Sequence, residues 1–433
     1  MDRLKLAYTE NLKKNLWNFI LSRLFPFFGI SIAAALLAHK NILDLPAFAY
    51  VLAIFSVVST VFSMPLAAIG NILHNKKDSL LPQQIFEEGL TTTVFFSFLS
   101  LVVAALALIA IRHTTPFNTA NDEAFFYLSI IYIPAIPLLV INTFTHIFHE
   151  ASDNAARCAA IKKWCTSIGC CLLAIAFLLT DKTSFCYFAI AYFSAVELAT
   201  FICLTRLSAQ TGYRHVIKLP RHMFPSIVSL GFPIAAGMAG QKVYYYLLNS
   251  KLLSLDEKLA ADLSICMSVI GFLSIPLIGF AQLHSVYTSK HAQDTESIYS
   301  RGLISCLVLL LVISAVFLVM GNFLFFIFGD VSLSFTRESF FSISVSIFCS
   351  GYFMLTTSHL RAMKDTLIPQ LTINLIMLAV LIPVIYMSGI NGGSIYTYIL
   401  LQSAATFVAA LLLQYRIYRL HKRCVVEVSI VSS

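Results

Sequence analysis

Charge is the scarcest commodity in this sequence. Only 12% of the 433 residues are Asp, Glu, Lys or Arg, about half the share of a soluble domain. A soluble enzyme or binding module of ordinary composition is thereby excluded. No glycine-rich loop able to cradle phosphates is present, so ATP hydrolysis by the chain is not expected. No nucleophile, base and orienting group stand together, and neither an enzyme activity nor a cofactor is expected. Nine of the ten cysteines lie in or beside apolar runs and Cys424 lies in the C-terminal tail. None falls in an outer loop, so disulfides are not expected.

Apolar length is what the chain has in abundance. Hydrophobic residues make up 58% and the mean hydropathy is +0.83. Twelve runs at about 16–38, 47–73, 86–111, 124–148, 160–180, 184–205, 225–250, 259–285, 302–328, 337–360, 366–388 and 394–415 each approach the ~20 residues that cross a bilayer. The fold class expected is an all-α polytopic membrane protein.

The basic residues set its orientation. Of 29 lysines and arginines, 21 fall on the termini and even-numbered connections, counting Lys162 and Lys163 at the start of the fifth run, and six on the odd-numbered ones. Arg23 and Lys242 lie within runs. Positive loops face the cytoplasm, so both termini are expected inside. The excess of eight positive charges thus reports topology, not nucleic acid.

The longest inner connection, 207–224, divides the chain into a six-helix lobe at 1–206 and a second at 225–433 that ends in a short tail. The halves repeat. Ser63-Met64-Pro65-Leu66 matches Ser274-Ile275-Pro276-Leu277, 211 residues on; Gly89-Leu90 matches Gly302-Leu303, and Thr143 with His146 matches Thr356 with His359, 213 residues on. Six helices per repeat is even, so both halves enter from the same side. A parallel pseudo-two-fold repeat is expected.

Three ionisable residues stand well inside runs, where charge is costly and marks function. Arg23 and Glu197 lie at matching depths, about 10–12 Å from the inner end at 1.5 Å per residue. At those depths they could pair within the first lobe, as a structural ion pair or with Glu197 and Arg23 as the candidate cation-coupling site. Lys242, Tyr245, Tyr246 and Asn249, at i, i+3, i+4 and i+7, form one helical stripe. That stripe, with Gln241, is a candidate wall of a solute cavity. Asn142, His146 and His149 share a face at the inner end of the fourth run. No carboxylate or cysteine joins the histidines at metal-ligand spacing, so a polar cavity wall is expected from Asn142 and His146, and no metal.

Two motifs carry a family resemblance. Arg361-Ala362-Met363-Lys364-Asp365-Thr366-Leu367-Ile368-Pro369 resembles the Arg-Gly-x-Gly-Asp-Thr-x-x-Pro pattern of multidrug and toxic compound extrusion (MATE) transporters, retaining Arg361, Asp365, Thr366 and Pro369. Gly231-Phe232-Pro233-Ile234 resembles their Gly-x-Pro-Ile, with Gly231 and Pro233 in place. The resemblance implies a secondary exporter of small organic solutes working by alternating access, driven by proton or sodium antiport, in the bacterial inner membrane. A monomer embedded in the lipid bilayer is expected. Gln241 stands where several members carry an acidic residue, and the first run has no Asp or Glu; the resemblance does not carry those two cation sites over. A lipid-linked oligosaccharide flippase of the same superfamily is the alternative, favoured by Arg23 and Lys242. A major facilitator transporter fits less well, because Gly70-Asn71-Ile72-Leu73-His74-Asn75-Lys76-Lys77-Asp78 lacks that fold's loop pattern.

Overall fold

A computed structural model describes residues 2–41, 45–75, 81–114, 119–255, 257–291, 294–329, 334–387 and 394–431. The described residues are helical almost throughout, as hydrocarbon requires: a helix satisfies its own backbone donors and acceptors. The spans are α1 (Asp2–Lys40), α2 (Leu45–Ser63, continued by Met64–Ala68 and Ile69–Asn75), α3 (Pro82–Thr114), α4 (Thr119–Tyr132 and Ala135–His149), α5 (Ala155–Leu179), α6 (Lys182–Gln210), α7 (Met223–Leu255), α8 (Glu257–Lys290), α9 (Thr295–Gly329), α10 (Arg337–Ala362), α11 (Leu367–Asn374, Leu375–Leu381 and Ile382–Met387) and α12 (Ile395–Val431).

Eleven described stretches are long and apolar enough to cross a membrane, and one of them, Phe125–Leu179, runs to 55 residues. It contains two spans. The break is at Ser152 (φ −91°, ψ 29°) and Asp153 (φ 64°, ψ 18°). Cys158 Sγ comes within 3.8 Å of the His146 carbonyl, although twelve residues of straight helix would separate them by about 18 Å. The chain therefore doubles back between α4 and α5.

The same turn recurs between α10 and α11. Lys364 there has φ 66°, 211 residues after Asp153. Its neighbours close the helix with Asp365 N donating to Leu360 O at 2.9 Å and Met363 N to His359 O at 3.2 Å. Two left-handed non-glycine residues, within two positions of the offset that relates His146 to His359, are a backbone mark of the internal repeat. They also explain a motif glycine: the left-handed conformation favours Gly, and Lys364 adopts it here with a Cβ.

Two compact units divide the chain: Leu21–Ala235, and Met1–Ile20 with Ala236–Ser433. Within the first, Phe48, Val51, Phe55, Phe185, Ala189 and Ile190 are buried in one core from α2 and α6. Hydroxyls in the apolar setting bond back along their own helix, as Thr91, Thr92 and Thr93 do to the carbonyls of Glu87, Glu88 and Gly89. In the second unit α9 is the most apolar span, with Val319, Phe323 and Phe326 exposed. Such a face suits acyl chains, not water.

Two helices run well past their apolar runs, α12 to Val431 beyond the expected end near residue 415 and α1 at its start. α1 begins at Asp2, not near residue 16. Its 39 residues span about 58 Å, roughly twice the hydrocarbon thickness.

Candidate functional site

Most of the polar candidates of the first lobe meet in the unit Leu21–Ala235, but not in the expected pairing. Arg23 does not pair with Glu197. Its Nη2 lies 3.1 Å from Glu150 Oε2, and Nη1 donates to Glu150 Oε1 at 3.3 Å and to Ser22 Oγ at 2.7 Å. Ser22 Oγ in turn donates to Glu150 Oε1 at 2.9 Å. His146 Nε2 completes the ring of contacts, 3.0 Å from Glu150 Oε1. The side chain of Glu150 is 1% exposed and that of Arg23 19%. The carboxylate is enclosed by donors, which is what keeps a buried charge tolerable.

The correction has a geometric cause. Arg23 stands level with the α4–α5 turn, where Glu150 begins a wide helical turn. Glu150 was missed because it sits at a predicted helix end, where a carboxylate reads as solvated. A signal was available: His146 and Glu150 are i, i+4 on one face. The carboxylate partner thought absent from the His146 face is therefore present.

Glu197 makes a second, looser cluster. Asn142 Nδ2 donates to Glu197 Oε2 at 2.6 Å and to the Glu197 carbonyl at 2.8 Å. Lys162 Nζ lies 3.8 Å from Glu197 Oε1, outside hydrogen-bond range. Asn142 is 1% exposed, and its Oδ1 is buried with no hydrogen-bond partner. His149, on the same helix, turns away to Ser208 Oγ at 2.8 Å. Glu150 is thus clamped by a cation and several donors, whereas Glu197 keeps one oxygen weakly held.

The candidates of the second lobe lie in the other unit. Gln402 of α12 bridges two tyrosines of α7: its Nε2 donates to Tyr245 Oη at 2.8 Å, and Tyr244 Oη donates to its Oε1 at 3.4 Å. Gln241 and Lys242 are half-buried. The side chains of Tyr246 and Asn249 lie outside the described residues. Along the same helix, a Cβ at Gly240 would meet Asn374 of α11 at about 2.5 Å, and one at Gly237 would overlap Gln370. These two glycines let polar side chains of α11 reach the α7 backbone. Asn374 Oδ1 is buried with no hydrogen-bond partner.

Family-motif residues have structural positions. A Cβ at Gly231 would run into the Pro65 backbone, so this glycine sets the α7–α2 approach. Asp365 accepts from Arg416 Nε at 2.8 Å, tying the α10–α11 turn to α12. Thr366 and Pro369 are buried, and the Arg361 carbonyl accepts from Lys364 N at 3.0 Å. Pro233 lies inside α7. An apolar groove of about 400 Å³ between α9, α10 and α12, lined by Leu303, Leu307, Phe348 and Phe407, holds none of the charged candidates.

No family model and no curated protein matches the sequence. Solved structures do match. A variant of the Vibrio cholerae MATE transporter VcmN superposes with a TM-score of 0.80 at 12% identity, over 97% of this chain and 98% of that one. The eukaryotic MATE transporter AtDTX14 gives 0.79 at 13% identity, over 95% and 96%. A MOP superfamily transporter from Pyrococcus furiosus, described by a reverse polarity of its binding pocket that suggests a different function, gives 0.78 at 12% identity, over 96% and 97%. Covering nearly the full length of each, this chain has the two-lobed, twelve-helix fold of the MATE transporters of the MOP superfamily.

Proposed function

We propose that this protein is a secondary active exporter of a small organic solute, working by alternating access and driven by inward movement of a proton or sodium ion. It acts as a monomer in the bacterial inner membrane with both termini cytoplasmic. The carrying observation is the unequal treatment of two intramembrane carboxylates. Glu150 is fixed by Arg23, His146 and Ser22, a structural charge pair. Glu197 has Asn142 on one oxygen and only a distant Lys162 on the other. A carboxylate so held can take and release a cation as its surroundings change.

Solute charge follows from Lys242, since the charge of Arg23 is taken up by Glu150. Lys242 supplies positive charge on α7 where screening is weak, so the preferred solute is anionic or neutral. The reverse-polarity pocket attributed to the Pyrococcus furiosus protein offers a parallel within the same fold. Uptake into proteoliposomes under imposed proton or sodium gradients tests the reading, using matched anionic, neutral and cationic solutes. Gradient-dependent movement of the anionic or neutral solute supports it. Movement of the cationic solute alone contradicts the charge assignment.

A further inference from the structure

The unit Met1–Ile20 with Ala236–Ser433 holds a row of imidazoles. Tyr8 Oη lies 2.8 Å from His284 Nδ1, His284 Nε2 lies 3.2 Å from His359 Nδ1, and His359 Nε2 lies 3.4 Å from His421 Nε2. Four side chains from α1, α8, α10 and α12 thus form one line of hydrogen bonds. Tyr8 is 1% exposed, and His284 and His359 are fully buried. His421 is half-buried, beside exposed Lys422 near the end of the described side chains of α12.

The row is built into the packing. A Cβ at Gly302 would come within 2.7 Å of His284 Cε1, so a glycine makes room for that ring. Tyr299 packs on His359 with ring centroids 4.6 Å apart. The internal repeat shows what is special here. His359 corresponds to His146, which meets Glu150; the residue corresponding to Glu150 is Met363. Freed of a carboxylate, His359 bonds to other histidines. The ring nitrogens face one another in sequence instead of converging, and among the described residues no three such side chains are placed to hold a metal ion.

We propose that Tyr8, His284, His359 and His421 form a proton-binding chain, loaded at His421 and closed at Tyr8. The assignment deepens the proposed cation coupling by naming a proton and a second place to hold it. In the neutral chain, His421 Nε2–H donates to His359, His359 Nδ1–H to His284, and His284 Nδ1–H to Tyr8 Oη. A proton arriving on His421 Nδ1 displaces one proton along each link. His359 receives on Nε2, His284 receives on Nε2, and His284 ends as the imidazolium with Nδ1–H still donated to Tyr8. One proton and one charge are gained, no hydrogen bond is lost, and release follows the reverse path.

The surrounding groups make the chain a store with one door. Glu296 of α9 acts electrostatically on His421, at the entry. Arg301 of α9 acts on Tyr8, together with Tyr287 of α8 and Cys306 of α9, and its Nε donates to Thr9 Oγ1 at 3.1 Å. Tyr299 and Tyr352 flank the middle, their hydroxyls both on Gln414. A carboxylate thus acts at the open end and a guanidinium at the closed end.

The test is nitrogen NMR of the ¹⁵N-histidine-labelled full-length protein in detergent, between about pH 5 and pH 8, where imidazoles exchange protons. The resonances of His284, His359 and His421 are assigned by single substitution. Shared titration steps are expected across all three, because linked sites titrate as a set. His421→Phe, at the half-buried end, is expected to move the step of His284 and His359 by at least about one pH unit. Unchanged His284 and His359 resonances across the range in the unsubstituted protein would overturn the proposal, as would titration indifferent to His421→Phe. Flux in proteoliposomes separates this from the exporter reading: imidazoles titrating as a set without proton-driven flux leave the chain standing and remove the proton drive.

Discussion

Arg23 and Glu150 lie 127 positions apart in the chain and 3.1 Å apart in the fold. Their ion pair joins α1 to the α4–α5 turn within one compact unit. Removing either partner leaves a charge enclosed by apolar helix, a loss of about 3–5 kcal/mol for a buried pair. Arg23→Met and Glu150→Met are each expected to lower the unfolding temperature in detergent strongly, and the double variant to recover much of the loss. Additive losses in a thermal-shift series would contradict the pairing.

Lys364 carries a Cβ through a left-handed turn at φ 66°. Replacing it with glycine removes that strain, about 1 kcal/mol. Lys364→Gly is therefore expected to raise the unfolding temperature, while glycine at the helical neighbour Ala362 lowers it. A lower temperature for Lys364→Gly would show that the lysine side chain contributes more than its backbone strain costs.

Glu88 caps α7 from α3. Its Oε2 accepts from the backbone N–H groups of His222 and Met223 at 2.8 and 3.0 Å. The adjacent Glu87 pairs with Lys218, and Lys218 N donates to Thr91 Oγ1. The connection between α6 and α7 is thus fastened along α3. Glu88→Ala is expected to cost about 1–2 kcal/mol, the range of a lost N-cap, and to speed tryptic cleavage at Arg214, Lys218 and Arg221. Equal cleavage rates in limited proteolysis would show that the cap does not hold the connection.

Lys242 tests solute charge. Lys242→Ala is expected to weaken binding of a carboxylate solute more than binding of its methyl ester. A charge–dipole loss of about 1.4 kcal/mol would appear as a tenfold change in their ratio. Isothermal titration of both ligands gives that ratio. Equal weakening would place the amine away from the solute.

Much of the fold was legible because hydrocarbon imposes length. Ten spans follow from uninterrupted apolar runs, and the α4–α5 pair separated correctly around residues 149–159 because the polar stretch Glu150–Asn154 breaks the run. The start of α1 was not legible. Residues 2–15 are polar, and composition marks where a helix leaves the membrane, not where it ends. The pairing of Arg23 with Glu197 rested on matching depth, which does not say which helices adjoin; Arg23 meets Glu150 instead. Lys162, the cation that does approach Glu197, lay at a span boundary and was counted only toward topology. The histidine row was hidden for another reason. Tyr8, His284, His359 and His421 stand on four helices, and periodicity along one helix says nothing about contacts across several. His359 was visible in the repeat, but only the fold shows what it meets.

Gradient-driven flux through reconstituted protein, compared between the unsubstituted chain and Glu197→Gln, is the most direct test of the central claim. Gln keeps the size of the side chain and a hydrogen-bond acceptor for Asn142, but takes up no proton and brings no negative charge to hold a sodium ion. The expected result is that the unsubstituted protein moves its solute against a gradient when protons or sodium ions are supplied. Glu197→Gln should still bind the solute and fail to concentrate it. Undiminished uphill transport by Glu197→Gln, with unchanged dependence on pH and sodium, would contradict the account.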